Sequence, residues 1–181
     1  MGVINSYIKR SLKMRKIAYI CLGLIVSFLA YAGGNPEQVN FPEGYKTEFK
    51  KYDTRNREGK PQVAVLYANQ VVLDSLNKGK LADGSKIVME VYKAKVSYGE
   101  PVTGSDGIYQ KGKFAAVAVM EKRSDWKGSI DASERAGDWG FAIYNTDGTP
   151  KENGLDCASC HTPMPESDFL FSHATLVEFA K

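Results

Sequence analysis

The stretch "GLDCASCHTP", residues 154 to 163, sets Cys157, Cys160 and His161 at relative positions i, i+3 and i+4. On a helical turn those positions share one face, so two thiols and an imidazole project from the same side of the backbone. A flat group bonded to both sulfurs would be met by the imidazole from beneath. Any fold built around this turn must leave that face open to a large planar partner.

Cys-x-x-Cys-His is the attachment sequence of a c-type haem. Its thiols form thioethers with the haem vinyl groups, and the histidine becomes the proximal iron ligand. Other readings account for the residues less well. A zinc site needs four ligands, and the other histidine outside the N-terminal segment, His173, lies twelve residues beyond His161, against the usual spacer of about three to five. A thioredoxin-like pair belongs beside a βαβ unit, whereas this pair closes a β-rich chain. A structural disulfide is the plainer alternative in an oxidising compartment. The spacing favours one covalently attached haem, held by Cys157 and Cys160 with its iron on His161.

The other end of the chain reads as an address. Lys9, Arg10, Lys13, Arg15 and Lys16 precede the apolar run "IAYICLGLIVSFLAYA", which ends in the small-residue pattern Ala30-Tyr31-Ala32. This predicts a secretory signal peptide over 1–32, cut after Ala32. The run of sixteen residues falls slightly short of the roughly 17–25 that span a bilayer, which disfavours an uncleaved anchor. Taking 32 residues from 181 leaves 149, and removing five cations and no acid takes the net charge from +3 to −2. A nucleic-acid partner then lacks the basic surface that phosphate binding requires. Cys21 departs with the signal, leaving the pair at 157 and 160 in an exported, periplasmic protein. That location agrees with attachment of c-type haem after translocation.

Residues 33–40, "GGNPEQVN", are polar and breaker-rich and predict a flexible leader, with the domain running over 41–181. The charge mixture from Phe41 to Lys60 reads as a solvated face or loop. "QVAVLYANQ" predicts a strand, followed by a helix through Val72, Leu73 and Leu76 with Asn69 as cap. After the turn "ADGS", the segments "KIVMEVYKAKVSY", "FAAVAVMEK" and "DWGFAIYN" predict further strands, and the residues after the haem motif a short terminal helix. Trp126, Trp139, Phe141 and Tyr144 read as sheet packing. The expected fold is α+β: mainly antiparallel β-sheet with a few short helices in a single small domain.

From Phe41 to Ala180 the chain resembles the cytochrome P-460 family, which includes the cytochromes c′-beta. The resemblance is carried by "FPEGY", "GKLADGSKIVMEV", "GDWGFAIYNTDGTP" and "CASCHTPMPESDFLF", where Asp168 and Phe169 follow the histidine. It implies a small sheet-rich fold, a homodimer, and one haem with an open distal side. It also implies that Phe169 and Phe171 pack near the haem edge. Hydroxylamine-oxidising members carry a lysine cross-linked to the porphyrin where this chain aligns Met89, just before Glu90. Lys86, at an odd offset, belongs to the opposite strand face, and Lys93 lies roughly 13 Å farther along at ~3.3 Å per residue. The distal arginine of some such members falls near Val63 or Ala64.

These departures favour a five-coordinate haem with a mostly apolar distal pocket lined partly by Met89. Such a protein binds a small gas such as nitric oxide, takes part in one-electron transfer with a redox partner protein, or does both. Two other readings stand beside it. Met89 as a sixth ligand would make a His/Met electron carrier, with Met120 a more distant possibility and Met164 too close to His161. The third reading is an oxidoreductase acting on hydroxylamine or a related nitrogen compound, which the missing lysine disfavours.

Overall fold

A computed structural model describes residues 34–57, 59–76 and 78–181. The expected signal peptide over 1–32, and Cys21 with it, lie outside the described residues. The elements run α1 (Tyr45–Glu48), β1 (Lys50–Asn56), β2 (Gln62–Ala68), α2 (Gln70–Leu76), β3 (Lys86–Ala94), β4 (Val96–Ser97), β5 (Glu100–Pro101), β6 (Lys111–Lys122), β7 (Trp139–Tyr144), α3 (Cys157–His161) and α4 (His173–Phe179). Five strands form one antiparallel sheet in the order β1-β2-β3-β6-β7, and β4 and β5 form a small hairpin inserted between β3 and β6. The fold is therefore α+β and mainly antiparallel, as its strand segments predict.

Alternation along the strands sorts the sheet into two faces. Register aligns Ala68, Ile87, Met120 and Phe141 in one row, Leu66, Met89, Ala118 and Ile143 in the next, and Ala64, Val91 and Ala116 beyond. These rows share a core with Val72 of α2, Ala158 of α3, and Leu170 and Leu176 near the C-terminus. The opposite face buries Val88, Val117, Val119 and Tyr144 beneath Val39, Tyr45, Trp126 and Ile130. Helix α2 begins where expected, with Asn69 Oδ1 accepting from the backbone N–H of Val72 at 3.2 Å.

Two expectations are corrected. The segment 34–40 is not a leader outside the domain: Val39 is fully buried, and the backbone N–H of Asn35 donates to the Phe141 carbonyl at 2.7 Å. It covers the outer margin of β7, whose open carbonyls would otherwise be left at a sheet edge. The charged stretch 41–60 holds a helical turn and a full strand. Strand β1 is the opposite edge of the sheet, and charged side chains are what an edge strand carries when it must not pair with another molecule.

Glu90, beside Met89 on β3, points to the opposite face and is almost fully buried. It accepts the hydroxyls of Tyr45 (2.8 Å), Tyr67 (3.2 Å) and Tyr92 (3.1 Å), and pairs with Lys46 Nζ at 3.1 Å. Burial alone would raise its pKa, but the Tyr45, Lys46 and Tyr92 donors outweigh burial and hold it below the usual value of 4.5. Its stabilising contribution is thus complete above about pH 4.5 and is lost as the pH falls through the lower folded-state value. Urea titrations across pH 3 to 7 are expected to show a midpoint that falls on acidification. Glu90→Gln should lower the midpoint at pH 7 and flatten its dependence on pH.

Candidate haem site

Helix α3 is the turn Cys157–His161. Asp156 caps it, its carboxylate accepting from the backbone N–H of Ser159 at 2.9 Å. Ala158 faces inward and is buried in the core. Cys160 is exposed, while Cys157 and His161 are half-buried. Both cysteines are free thiols. Burial, reinforced by Cys160 and Asp156, pushes the Cys157 thiol up to about 11. A redox-active pair needs the opposite, a thiol held as thiolate near neutral pH.

The His161 imidazole is fixed on three sides. Its Nδ1 lies 2.7 Å from the Phe169 carbonyl oxygen. A carbonyl only accepts, so Nδ1 carries the proton and Nε2 keeps its lone pair for a metal. The ring centroids of Phe141 and Phe171 each lie 4.9 Å from that of His161. Burial pushes the His161 pKa below its usual 6.5, only partly offset by the bond to Phe169, so the ring is neutral at physiological pH. Two free thiols and an imidazole with one open nitrogen, on a single helical turn, are a donor set that fits a covalently attached haem. Among the described residues, no three His, Cys, Asp or Glu side chains gather as a bare metal site.

The carbonyl partner is delivered by an unusual turn. After the 3-10 turn Pro165–Ser167, Asp168 (φ 50°) and Phe169 (φ 62°) both adopt left-handed backbone. Each such non-glycine residue costs about 1–3 kcal/mol and persists only where its surroundings enforce it. The Phe169 N–H donates to the Met164 carbonyl at 2.8 Å, and its ring packs against Gly137, two residues before β7. The Asp168 carboxylate receives Lys122 Nζ at 2.6 Å on both oxygens and the Leu81 N–H at 3.3 Å.

Met89 is half-buried and packs against the same core as Cys157 and Met120. Lys86 is on the other face, paired with Glu121 at 3.2 Å, and Lys93 is exposed. Val63 and Ala64 are buried. His173 opens α4 and is half-buried.

Sequence reasoning missed three contributors. Phe141, read as sheet packing, touches the His161 ring. Lys122 ended a strand segment without any mark of a role. Arg55 lies across from Ala64 on β1; its guanidinium donates to Asp53 and, at 2.8 Å, to Thr175 of α4. The missing signal for Arg55 was the strand itself, which its charges had disguised.

An antiparallel sheet with an apolar face, fitted with paired thiols and a metal-ready imidazole beside that face, is the layout of a haem protein. The family model for cytochrome P460 matches residues 42–172, and the chain belongs to that family. Membership implies a c-type haem with its iron. No curated protein matches the chain.

Proposed function

We propose that the protein is an exported cytochrome in which Cys157 and Cys160 carry one haem through thioethers and His161 is the proximal ligand. When bound, the haem supplies an iron that takes up a small gas such as nitric oxide, or passes one electron to and from a redox partner protein. The chain's own part is to hold the imidazole neutral and oriented, and to line the distal side with the apolar side chains around Met89. The observation that carries this reading is the His161 geometry: Nδ1 engaged by the Phe169 carbonyl, leaving Nε2 as the one available nitrogen. Support for an apolar distal side comes from the β2, β3, β6 and β7 members of the rows around Met89, where Leu66, Ala118, Ile143, Ala64, Val91 and Ala116 carry no polar side chain; the β1 members, Asp53 and Arg55, are charged and bonded to each other.

In this reading Met89 is a wall residue, as a flexible thioether filling an irregular gap. The purified haem protein should show a high-spin, five-coordinate spectrum that changes at once on adding nitric oxide or carbon monoxide. Met89→Leu should leave the ligand-free spectrum unaltered. A low-spin spectrum that ignores both gases, and turns high-spin in Met89→Leu, would establish the His/Met carrier instead.

One observation favours a second reading, oxidation of hydroxylamine. Arg55 stands across from Ala64, close to where an arginine is expected in members with that activity. Its guanidinium is already engaged by Asp53 and Thr175, and position 89 lacks the lysine, so this reading ranks second. Steady turnover of hydroxylamine with an electron acceptor would reverse the order. Export to the periplasm and a homodimeric state belong to the same proposal; a mature N-terminus at Gly33 and the mass in solution by light scattering test them.

A further inference from the structure

Lys122 is 1 % exposed, which is exceptional for an ammonium group. It ends β6, in register with Trp139 on the face that carries Met120, and its Nζ lies 5.6 Å from the centre of the Trp139 ring. A buried cation is retained only with a close partner, and removal of that partner is strongly destabilising. The partner here is Asp168, met through both oxygens at 2.6 Å. The next residue, Phe169, holds His161 Nδ1 with its carbonyl. Three consecutive links therefore join the end of a central strand to the proximal imidazole.

We infer that Lys122 and Asp168 form a positioning pair that holds the left-handed turn at 168–169, so that the Phe169 carbonyl stays aimed at His161 Nδ1 and fixes how strongly His161 donates to iron. This rests on the proposal that His161 is the proximal haem ligand. The pair touches neither thiol nor imidazole. It acts through the backbone: the carboxylate is drawn toward β6, the Leu81 N–H takes one of its oxygens, and the following peptide plane is left with its oxygen toward the ring. A hydrogen bond from Nδ1–H to a fixed acceptor makes the imidazole a stronger donor at Nε2 and fixes its orientation. A stronger donor favours ferric over ferrous iron. The sheet thus sets the reduction potential from a residue outside the ligand shell.

The backbone bonds around the turn are local to residues 164–170, and the pair is the ionic tie from the turn to the sheet. Both residues sit in backbone conformations that side-chain-bearing residues avoid, and Gly137, with φ of 57°, accommodates the Phe169 ring without directing the carbonyl. The Met164 carbonyl fixes the Phe169 N–H. The peptide that follows Phe169 is held on its N–H side, where Leu170 donates to the Ser167 carbonyl at 3.1 Å. The ion pair anchors the residue before Phe169.

The test uses the haem-loaded full protein, in which thioether attachment keeps the haem in place while the proximal side is altered. The variants are Lys122→Met, Asp168→Asn, and the two combined. The measurements are the iron–histidine stretching band of the ferrous form by resonance Raman, the reduction potential, and thermal stability. Lys122→Met is expected to lower the frequency of that band, raise the potential and lower stability, because the partly buried Asp168 carboxylate loses its cation and keeps only the Leu81 N–H. The double variant removes both charges at once, and such replacements are often neutral for stability. It should recover much of the lost stability yet keep the lowered band and raised potential. Lys122→Arg, which retains the charge, should restore the band toward its original position.

Stability that changes while band and potential stay at their original values, in either the single or the double variant, overturns the inference and reduces the pair to a structural contact. If Lys122→Met fails to fold, the double variant and Asp168→Asn carry the same two measurements. An unaltered protein with no iron–histidine band, or one whose band survives His161→Gly, would refute the ligand assignment itself. That failure is distinct from a failure of the pair.

Discussion

Replacing Cys157 and Cys160 together with alanine is expected to give, in a host competent for c-type maturation, a polypeptide that carries no haem mass. Intact-mass analysis and the visible absorption of the purified protein report it, and complete loss of attached haem is expected. The two thiols lie on one face of α3 with no bond between them, so no other pair among the described residues can substitute. His161→Gly should behave differently. The thioethers remain, the mass of the attached group is kept, and the spectrum reports an iron without its proximal nitrogen. Added imidazole should restore much of the original spectrum, because the space between Phe141 and Phe171 that holds the ring is shaped by side chains the substitution leaves alone. A double cysteine variant that still acquires covalent haem would remove the foundation of the functional reading.

Gly137→Val is expected to lower stability strongly. Gly137 has a φ of 57°, a region that β-branched side chains avoid. A Cβ there would also strike the Phe169 ring, with Cζ at 2.9 Å. That ring cannot turn aside cheaply, since its backbone is held by Met164 on one side and by His161 on the other. Strain and clash together should cost about 3 kcal/mol, which lowers Tm by roughly 10 °C for a protein of this size. Calorimetry of the haem-loaded protein checks the magnitude. The iron–histidine band should shift as well, because the displaced ring carries its own carbonyl away from Nδ1. Gly137→Ala meets the same atoms and should lose less, as alanine tolerates the positive φ better than valine.

How much of this was legible in the sequence depended on whether the information was local. The strands at 62–68, 86–94 and 139–144 carry alternating or β-branched runs that few other structures accommodate. The α3 turn was readable because its i, i+3, i+4 spacing is a local pattern, and Met89 and Lys86 could be assigned to opposite faces by counting. Strand β1 was not readable. As a sheet edge it has one covered side and one wet side, and its lysines, arginine and aspartate look the same in a solvated loop. The burial of residues 34–40 was hidden for a different reason: Asn35 bonds the Phe141 carbonyl more than a hundred positions away, and a backbone acceptor leaves no trace in composition. Lys122 was hidden in the same way. A lysine at the end of a strand is ordinarily exposed, and only the path of the chain after His161 brings Asp168 over it.

The neighbours in this sheet follow one another along the chain, apart from the small hairpin between β3 and β6. Most of the meander can therefore zip up through short closures that cost little entropy. The expensive closures are those that bring the two extremities together: Asn35 to Phe141, Tyr52 to Ser172 at 2.7 Å, and Arg55 to Thr175. The Cys157–His161 turn lies inside that late seam, between β7 and α4. For the exported haem protein proposed above, in which the chain would emerge N-terminus first, the apolar floor is built before the two thiols arrive, so the clasp can stay ajar while a macrocycle is installed.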